Sequence, residues 1–566
     1  MNYSVSLTND RKWIADDETL VRGRGFINGE FHTTEDLLTV YTNTASREEL
    51  KSLLTDTNGF FAIIRKLENE LLLATDQIRS IPLFYANTED GLAVGTDSHQ
   101  IATQVDCTDY APLYEAEYSL TGYVAGSDTL CEHVHQVQAG EVVSLRDEPT
   151  DWITRDRHYQ YRHTSTSDGS RDTLLTELDT VTKAAFDRLV SYADGRPIVV
   201  NMSAGYDSRL LVSMLTRLGY DDVIAFTYEY SGDEREYCRE IADTLGIQWE
   251  YVSQTHQEWD EWYRSDERKA IDRAAGIIDA VPTIGPAVAM KKLHEQGRVP
   301  EDAIFVTGDS ASTTGDHIPP KIMQAECGSR ELLASSIVSG HYEFWEMSSA
   351  LRSTFEDRVC DVVGIDQYRT REDVADAFEF WDWQERQAKH ILRTYLYDYW
   401  DYDFWYPLWD REFMDFWTTV PLEHRFERSL FERYVRSVYA DAAGLSMDEV
   451  QETFHERSPW VSRIEKALSG TPLKDPVEQL YRHHISPREY DDNPIWGIMD
   501  RDQFDRLQSG RQVIHAFRVL ELLGRMSFSP PTDGYISRDR EVTTETVGRS
   551  RPPSALMPTD EDTEQA

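Results

Sequence analysis

Two textures of apolar and polar positions divide the chain. Up to about residue 160, short apolar runs alternate with Gly, Asn and Asp turn signals, as in "GFINGEF", "GFFAIIRKL", "ELLLATD", "PLFYAN" and "GLAVGTD". That pattern predicts an antiparallel, strand-rich unit. A polar stretch, "YRHTSTSDGSRD" (161–172), reads as a linker with an N-cap for a following helix. From about 173 the strand-like runs "PIVVNMS", "DVIAFTYEY" and "AIFVTGDS" are separated by long helical stretches, which predicts βαβ units on a parallel sheet. Beyond 330 the pattern is mainly helical and rich in aromatic residues. The last residues, 546–566, are polar with Pro and acids and are expected to be disordered. The expected division is 1–160, 173–545 and a 546–566 tail.

The clearest junction is "RPIVVNMSAGYDSRLLVSMLTRLGY", Arg196 to Tyr220. An apolar strand empties into small polar residues, and Leu210, Leu211, Met214, Leu215 and Leu218 then recur at helical spacing. A loop between a parallel strand and a helix lies at the sheet's carboxyl edge, where helix N–H groups favour an anion. Ser203 and Ser208 add hydroxyls, and Gly205 allows close approach of the backbone. Asp207 fits such a loop if a divalent cation bridges it to phosphate oxygens. An ordinary helix cap uses the same residue types, so spacing alone leaves both readings open.

Composition narrows the field. The 566 residues exceed one core's worth, and two or more domains are expected. The formal charge of −44, from 101 acidic against 57 basic residues spread along the chain, fits a cytoplasm of high salt and disfavours duplex nucleic acid as a partner. Five widely separated cysteines with no Cys-x-x-Cys pair argue against a disulfide framework and a zinc site. With neither a signal peptide nor an 18-residue apolar window, a soluble cytoplasmic protein without membrane insertion is expected.

"SAGYDS" resembles the pyrophosphate-binding Ser-Gly-Gly-x-Asp-Ser loop of ATP pyrophosphatases, with Ala204 in place of the first Gly. "VIAFTYEYSGDEREYCREIADTLGI" is similar to that family's second element, which places Thr227 near adenine and Glu236 at a helix start. "FINGEF" (26–31), the segment 59–86, "TGYVAGSDTLCEHVHQVQAGE" (121–141) and "WYPLWDREFMDFWTTVP" (405–421) resemble, in order, elements of the asparagine synthase family. The resemblance implies an α/β architecture: an Ntn-hydrolase-like, glutaminase-like β-sandwich, then an adenine nucleotide alpha hydrolase-like ATP pyrophosphatase domain with a helical carboxyl-terminal part. It implies ATP and Mg²⁺ as cofactors, held by Ser203, Ala204, Gly205, Tyr206, Asp207, Ser208, Thr227 and Gly308. It further implies an acyl-adenylate attacked by ammonia or an amine, and a possible homodimer.

The chain departs from the family at three places. The family's glutaminase uses a cysteine exposed by methionine removal, whereas residue 2 is Asn2 and no cysteine precedes Cys107, so glutamine-dependent ammonia production is not expected. Asn28, Gly29 and Asp76 are then fold residues or relics. "FVTGDSASTTGDHIPP" (305–320) stands in place of the family's acidic loop. There Asp309 is the expected base and, with Asp207 and Asp316, a metal ligand. The family's downstream lysine has Arg457 as its nearest counterpart, with Lys466 next. The aromatic stretch 378–409 reads as packed core, with Arg386 or Lys389 as a weaker candidate for holding an acceptor carboxylate. Aspartate is the family's acceptor; a sugar acid in surface glycan synthesis and a non-catalytic nucleotide-binding scaffold are the alternatives.

Overall fold

The computed structural model describes residues 2–454, apart from 108–109, 147–151, 165–168, 230–233, 282, 309–313, 345–346, 366–367 and 392–394, together with 518–519 and 521–523. Asp309, Arg457, Lys466 and the 546–566 tail lie outside the described residues. The chain is mixed α/β, with three sheets and many helices among the described residues.

Alternation along the early strands builds the amino-terminal half. Ala62 and Ile64 with Leu71 and Leu73 face inward, across from Tyr85, Leu92 and Val94 of a second sheet. Their neighbours Phe61, Ile63, Leu72 and Ala74 point the other way, against Leu37, Tyr41, Leu50 and Leu54 of the helices Thr34–Thr42 and Arg47–Asp56. A seven-stranded and a four-stranded sheet therefore stack face to face, as period-2 alternation dictates. The expected antiparallel pairing needs one correction: Tyr3–Ser6 runs parallel to Gly91–Gly95. Asn28 and Gly29, with φ of 52° and 82°, form the two-residue turn joining Thr19–Ile27 to Glu30–His32. Asp76 is buried and accepts from the backbone N–H groups of Phe61, Ile78 and Ser80, bracing a turn. The expectation from cysteine spacing is also corrected. Cys107 and Cys131 are bonded, with Cα atoms 5.9 Å apart, because the fold brings together two cysteines separated by 24 positions in sequence.

The last strand of the larger sheet ends at Arg157, and a helix capped by Ser170 runs from Arg171 to Ala193. A five-stranded parallel sheet follows, in the spatial order Gln248–Ser253, Val223–Glu229, Ile198–Asn201, Ile304–Val306, Asp403–Trp405. The chain moves outward on one side of Ile198–Asn201 and then returns to the other. The crevice beyond the carboxyl ends of Ile198–Asn201 and Ile304–Val306 is thus the switch point of the sheet.

The two halves share one core. Phe60 of the amino-terminal sheet packs edge-on to Trp405, with centroids 4.9 Å apart. Asn58 donates to Asp410 at 3.0 Å, which also takes two hydrogen bonds from Arg188. Arg79 pairs with Asp279 at 3.0 Å, both side chains fully buried. Lys389, expected as a possible carboxylate holder, is instead buried in this seam. It donates to the carbonyls of Val124 and Gly126 at 2.9 and 2.7 Å and pairs with Glu385. The aromatic stretch supplies core, with Trp381, Trp383, Trp405 and Trp409 almost without exposure. Among the described residues no helix is long and apolar enough to cross a membrane.

His158 lies at the same seam. Its Nε2 meets the Thr75 carbonyl at 2.8 Å and its Nδ1 meets the Arg411 guanidinium at 3.4 Å. A carbonyl acceptor at one nitrogen and a cationic donor at the other suit neutral imidazole. Burial first, then Arg411, pushes its pKa down to about 3, from 6.5. Burial does the same to His341, also to about 3. Below pH 6.5 the unfolded chain binds protons that the folded chain refuses until about pH 3, so the unfolded state binds more. Stability is complete above pH 6.5 and falls with acid, by up to about 1.4 kcal/mol per pH unit for each histidine. Urea midpoints measured from pH 7 to 5 should show this slope. His158→Gln, which keeps a donor and an acceptor, should reduce it by one proton; an unchanged slope would rule His158 out as a source.

Candidate functional site

The strand Ile198–Asn201 is short and apolar and ends where Ser203 begins the loop; the helix Tyr206–Arg217 starts three residues later. Gly205 caps that helix without a side-chain hydrogen bond, leaving its first-turn N–H groups without a capping side chain. The loop is closed from within. Ser208 Oγ donates to the Ser203 carbonyl at 2.9 Å and accepts from the Ser203 N–H at 3.0 Å, while the Gly205 N–H donates to Ser203 Oγ at 3.2 Å. Ser203 and Ser208 therefore hold the loop's shape. The Ala204 N–H lies 3.5 Å from Glu234 Oε2. The acid at the loop is Glu234, whereas Glu236 lies in the first turn of the helix Arg235–Leu245, as expected, exposed and paired with Arg239.

Thr227 sits at the adjacent strand end, but its hydroxyl is already committed. It donates to the Met202 carbonyl at 2.9 Å and accepts from the Trp249 indole at 3.0 Å. Its place is therefore in the wall of the crevice.

Gly308 meets the loop helix directly. A Cβ there would lie 2.8 Å from Asp207 Cβ and 3.0 Å from the Ser208 nitrogen. The strand Ile304–Val306 thus delivers Gly308 to Asp207, as expected from the sequence. Gly308→Ala is expected to push this strand end off the helix at a cost of about 1–3 kcal/mol, read as a lowered urea midpoint. An unshifted midpoint would mean that the contact relaxes freely.

The cation of the site is Arg428, which the sequence reading passed over. Its Nη2 pairs with Asp207 Oδ1, and its Nη1 lies 3.7 Å from Asp316 Oδ2. Glu427 and Arg428 both have left-handed backbones, with φ of 54° and 57°. Two such residues in succession, neither of them glycine, are strained, and strain of this kind collects at functional sites. A cation just before the helix Ser429–Ala443 also opposes the helix dipole. That misplaced charge was the available signal. Below the loop, Arg209 is almost fully buried and donates to the carbonyls of Ala204 and Thr453 at 3.3 and 3.4 Å, with Phe454 stacked 3.8 Å away. Burial lowers its pKa, and among the described residues it has no carboxylate partner. A buried cation without a salt-bridged carboxylate among the described residues, beneath a helix start whose N-cap adds no side-chain hydrogen bond, favours an anion above it.

Asp207 and Asp316 share one guanidinium and so converge on one place. Hard oxygen donors of this kind suit Mg²⁺, which would be held by Asp207 and Asp316 once Arg428 turns to the anion. Among the described residues no group of three His, Cys, Asp or Glu side chains gathers as a metal cluster. Beyond Asp316, His317 Nε2 lies 3.6 Å from Asp316, and His317 Nδ1 lies 3.2 Å from buried Asp382. Asp382 begins a π-helical segment, Asp382–Ile391, which also carries Arg386.

No protein-family profile matches the chain, and a search of curated proteins returns no significant match. Among solved structures, glutamine phosphoribosylpyrophosphate amidotransferase from B. subtilis, complexed with ADP and GMP, is similar at 10% identity and a TM-score of 0.18, over 54% of this chain and 64% of that one. A structure described as the allosteric regulatory enzyme of purine biosynthesis is similar at 13% identity and a TM-score of 0.17, over 52% of this chain and 54% of that one. The chain therefore spans less than two thirds of either, and likenesses at these TM-scores carry no argument.

Proposed function

We propose that the chain is an ATP-dependent carbon–nitrogen ligase that activates a carboxylate as its acyl-adenylate. The observation that carries this reading is the Ser203–Ser208 loop at the sheet's switch point, with Arg428 held across Asp207 and Asp316. The uncapped helix start and buried Arg209 favour phosphate above the loop, while the two acids supply oxygen donors for the Mg²⁺ that accompanies it. Mg²⁺, when bound, neutralises phosphate charge. Arg428 is placed to take charge developing on the pyrophosphate.

In this reaction a carboxylate oxygen of the acceptor attacks the α-phosphorus, and the bond to the bridging oxygen of pyrophosphate breaks. Ammonia or an amine then adds to the acyl carbon, AMP leaves, and the nitrogen loses a proton. AMP replaces oxide as the leaving group, which is why the nucleotide is needed. Glutamine is not the proposed nitrogen source.

The test is pyrophosphate release from MgATP at molar KCl, with aspartate, succinate and sugar acids as acceptors and ammonia or glutamine as donors. Release that requires an acid and ammonia, without stimulation by glutamine, is the expected result. ATP binding without release for any acid would sink the ligase and leave a nucleotide-binding scaffold.

A further inference from the structure

Away from the loop, a cavity of about 240 Å³ opens where the two halves meet. Ile81, Pro82 and Phe84 wall it from the first half, and Ala274, Ala275 and Tyr399 from the second. Thr8 and Thr96 also line it, but Thr96 Oγ1 already accepts from the Thr8 N–H at 2.8 Å and lies 3.0 Å from Thr8 Oγ1. Arg22 reaches the cavity by alternation along Thr19–Ile27. Val21 packs toward the outer helices, so Arg22 points the other way.

The cavity stands apart from the nucleotide loop. Asp398 and Tyr399 precede the strand Asp403–Trp405 and so lie toward the amino edge of the parallel sheet, whereas Ser203–Ser208 follows Ile198–Asn201 at the carboxyl edge. It is equally apart from the turn at Asn28 and Gly29. That turn closes the far end of the strand carrying Arg22, about 20 Å away at roughly 3.3 Å per residue.

Arg22 is the group in this cavity with bonding capacity to spare. Its side chain is only 7% exposed, and its Nη2 pairs with both oxygens of Asp398. No described residue accepts from its Nε or Nη1, which leaves most of the guanidinium's N–H donors over. Its neighbours are engaged: Lys12 lies 3.3 Å from Asp398, while Arg11 and Lys12 lie 3.0 and 3.6 Å from Asp401. Arg11, Lys12 and Arg22 thus share two acids, a local surplus of cation in a chain of formal charge −44. A buried donor left without an acceptor is costly, and a charged one rewards an anion that reaches it. One such group calls for one carboxylate, and the apolar walls call for an apolar remainder. The volume lies below the roughly 300–1,000 Å³ of sites for drug-sized molecules, so the ligand is small.

We propose that this cavity binds a small monocarboxylate with a short apolar body, its carboxylate on Arg22 and its body against Phe84 and Tyr399. Because both halves wall the cavity, the bound acid also clamps them together. The site shares no residue with the ligase reading above and stands or falls apart from it.

The probe is 4-methylpentanoate, set against acetate, which lacks the body, and 4-methylpentan-1-ol, which lacks the charge. Binding to the full chain is measured by isothermal titration calorimetry. The acid is expected to bind saturably, one per chain, and at least tenfold tighter than either control. Arg22→Gln should weaken it by about 10–100-fold, the scale of a hydrogen bond to a charged group, and bring it level with the alcohol. Arg22 also holds Asp398, so should Arg22→Gln lower the urea midpoint, Ala274→Leu carries the comparison. That substitution fills the cavity, leaves every charge in place, and should abolish binding of 4-methylpentanoate. The acid should also raise the urea midpoint of the wild type with the logarithm of its concentration, and not that of Ala274→Leu. Equal binding of acid and alcohol, or binding that survives both substitutions, overturns the proposal. So does the lack of saturable binding, the mark of a cavity that holds water alone.

Discussion

Asp207→Asn is expected to lower pyrophosphate release by about 10²–10³-fold, the scale of removing one pre-placed electrostatic group from a reacting phosphate. The substitution is nearly isosteric, so the loop keeps its Ser203–Ser208 closure. It removes the charge that holds Arg428 and leaves Asp316 as the remaining acid on that guanidinium. Affinity for Mg²⁺ should fall with it, because a neutral amide is a poorer donor to a hard cation. Asp207 is partly exposed, with 24% of its side-chain surface open, so little stability should be lost. The pair of readouts separates site from scaffold: turnover collapses while the urea midpoint holds. Turnover within about threefold of wild type would remove Asp207 from the site, and with it the reading of the loop.

The largest effect on stability is expected at the seam. Asp279→Ala leaves Arg79, fully buried at 0% exposure, without the carboxylate 3.0 Å away. Breaking a buried pair from one side costs about 3–5 kcal/mol, since a charge is stranded where water cannot reach it. Replacing both partners, as in Arg79→Met with Asp279→Leu, removes the charge altogether and should recover most of that loss. Urea denaturation of the two single variants and the double decides the matter. A double variant as unstable as the sum of the singles would mean that Arg79 matters through its hydrogen bond to the Val137 carbonyl, at 2.7 Å, and not through Asp279.

Those parts of the fold that repeat at short range were legible in the sequence. Alternation in the segments 59–66 and 71–75 exposed the sandwich, because both faces of those strands are buried and a slip of one residue would exchange them. The strand–loop–helix around Ser203–Ser208 was legible for the same reason, and Gly308 followed from the third parallel strand. Arg428 was not legible from spacing: it meets Asp207 from 221 residues away, and no local period encodes such a contact. Glu236 was legible as an acid in the first turn of a helix, whereas Glu234, whose carboxylate reaches the Ala204 N–H, was not, since that contact spans 30 residues. Lys389 drew notice as a cation within the aromatic stretch 378–409. Its partners, Val124, Gly126 and Glu385, come largely from a distant part of the chain. Counting cysteines missed the Cys107–Cys131 bond because pairing depends on Cα separation in space, not on motif.

The seam between Asn58, Asp410 and Arg188, continued by Phe60 on Trp405 and by Arg79 on Asp279, also bounds how this gene can change. A fragment beginning at residue 173 would set Trp405 and Lys389 against water and strip Asp279 of its cation, so no shorter stable version is reached by cutting there. Whatever chemistry the first half performs, its seam-facing side chains are held by the second half's need for them. Its outer helix Arg47–Asp56 is tied as well, through Arg411, which donates to the Leu54 carbonyl at 3.1 Å, whereas Thr34–Thr42 makes no such hydrogen bond among the described residues. Divergence should therefore run ahead on Thr34–Thr42 and lag at the seam, leaving the first half as a fitted lining for the second.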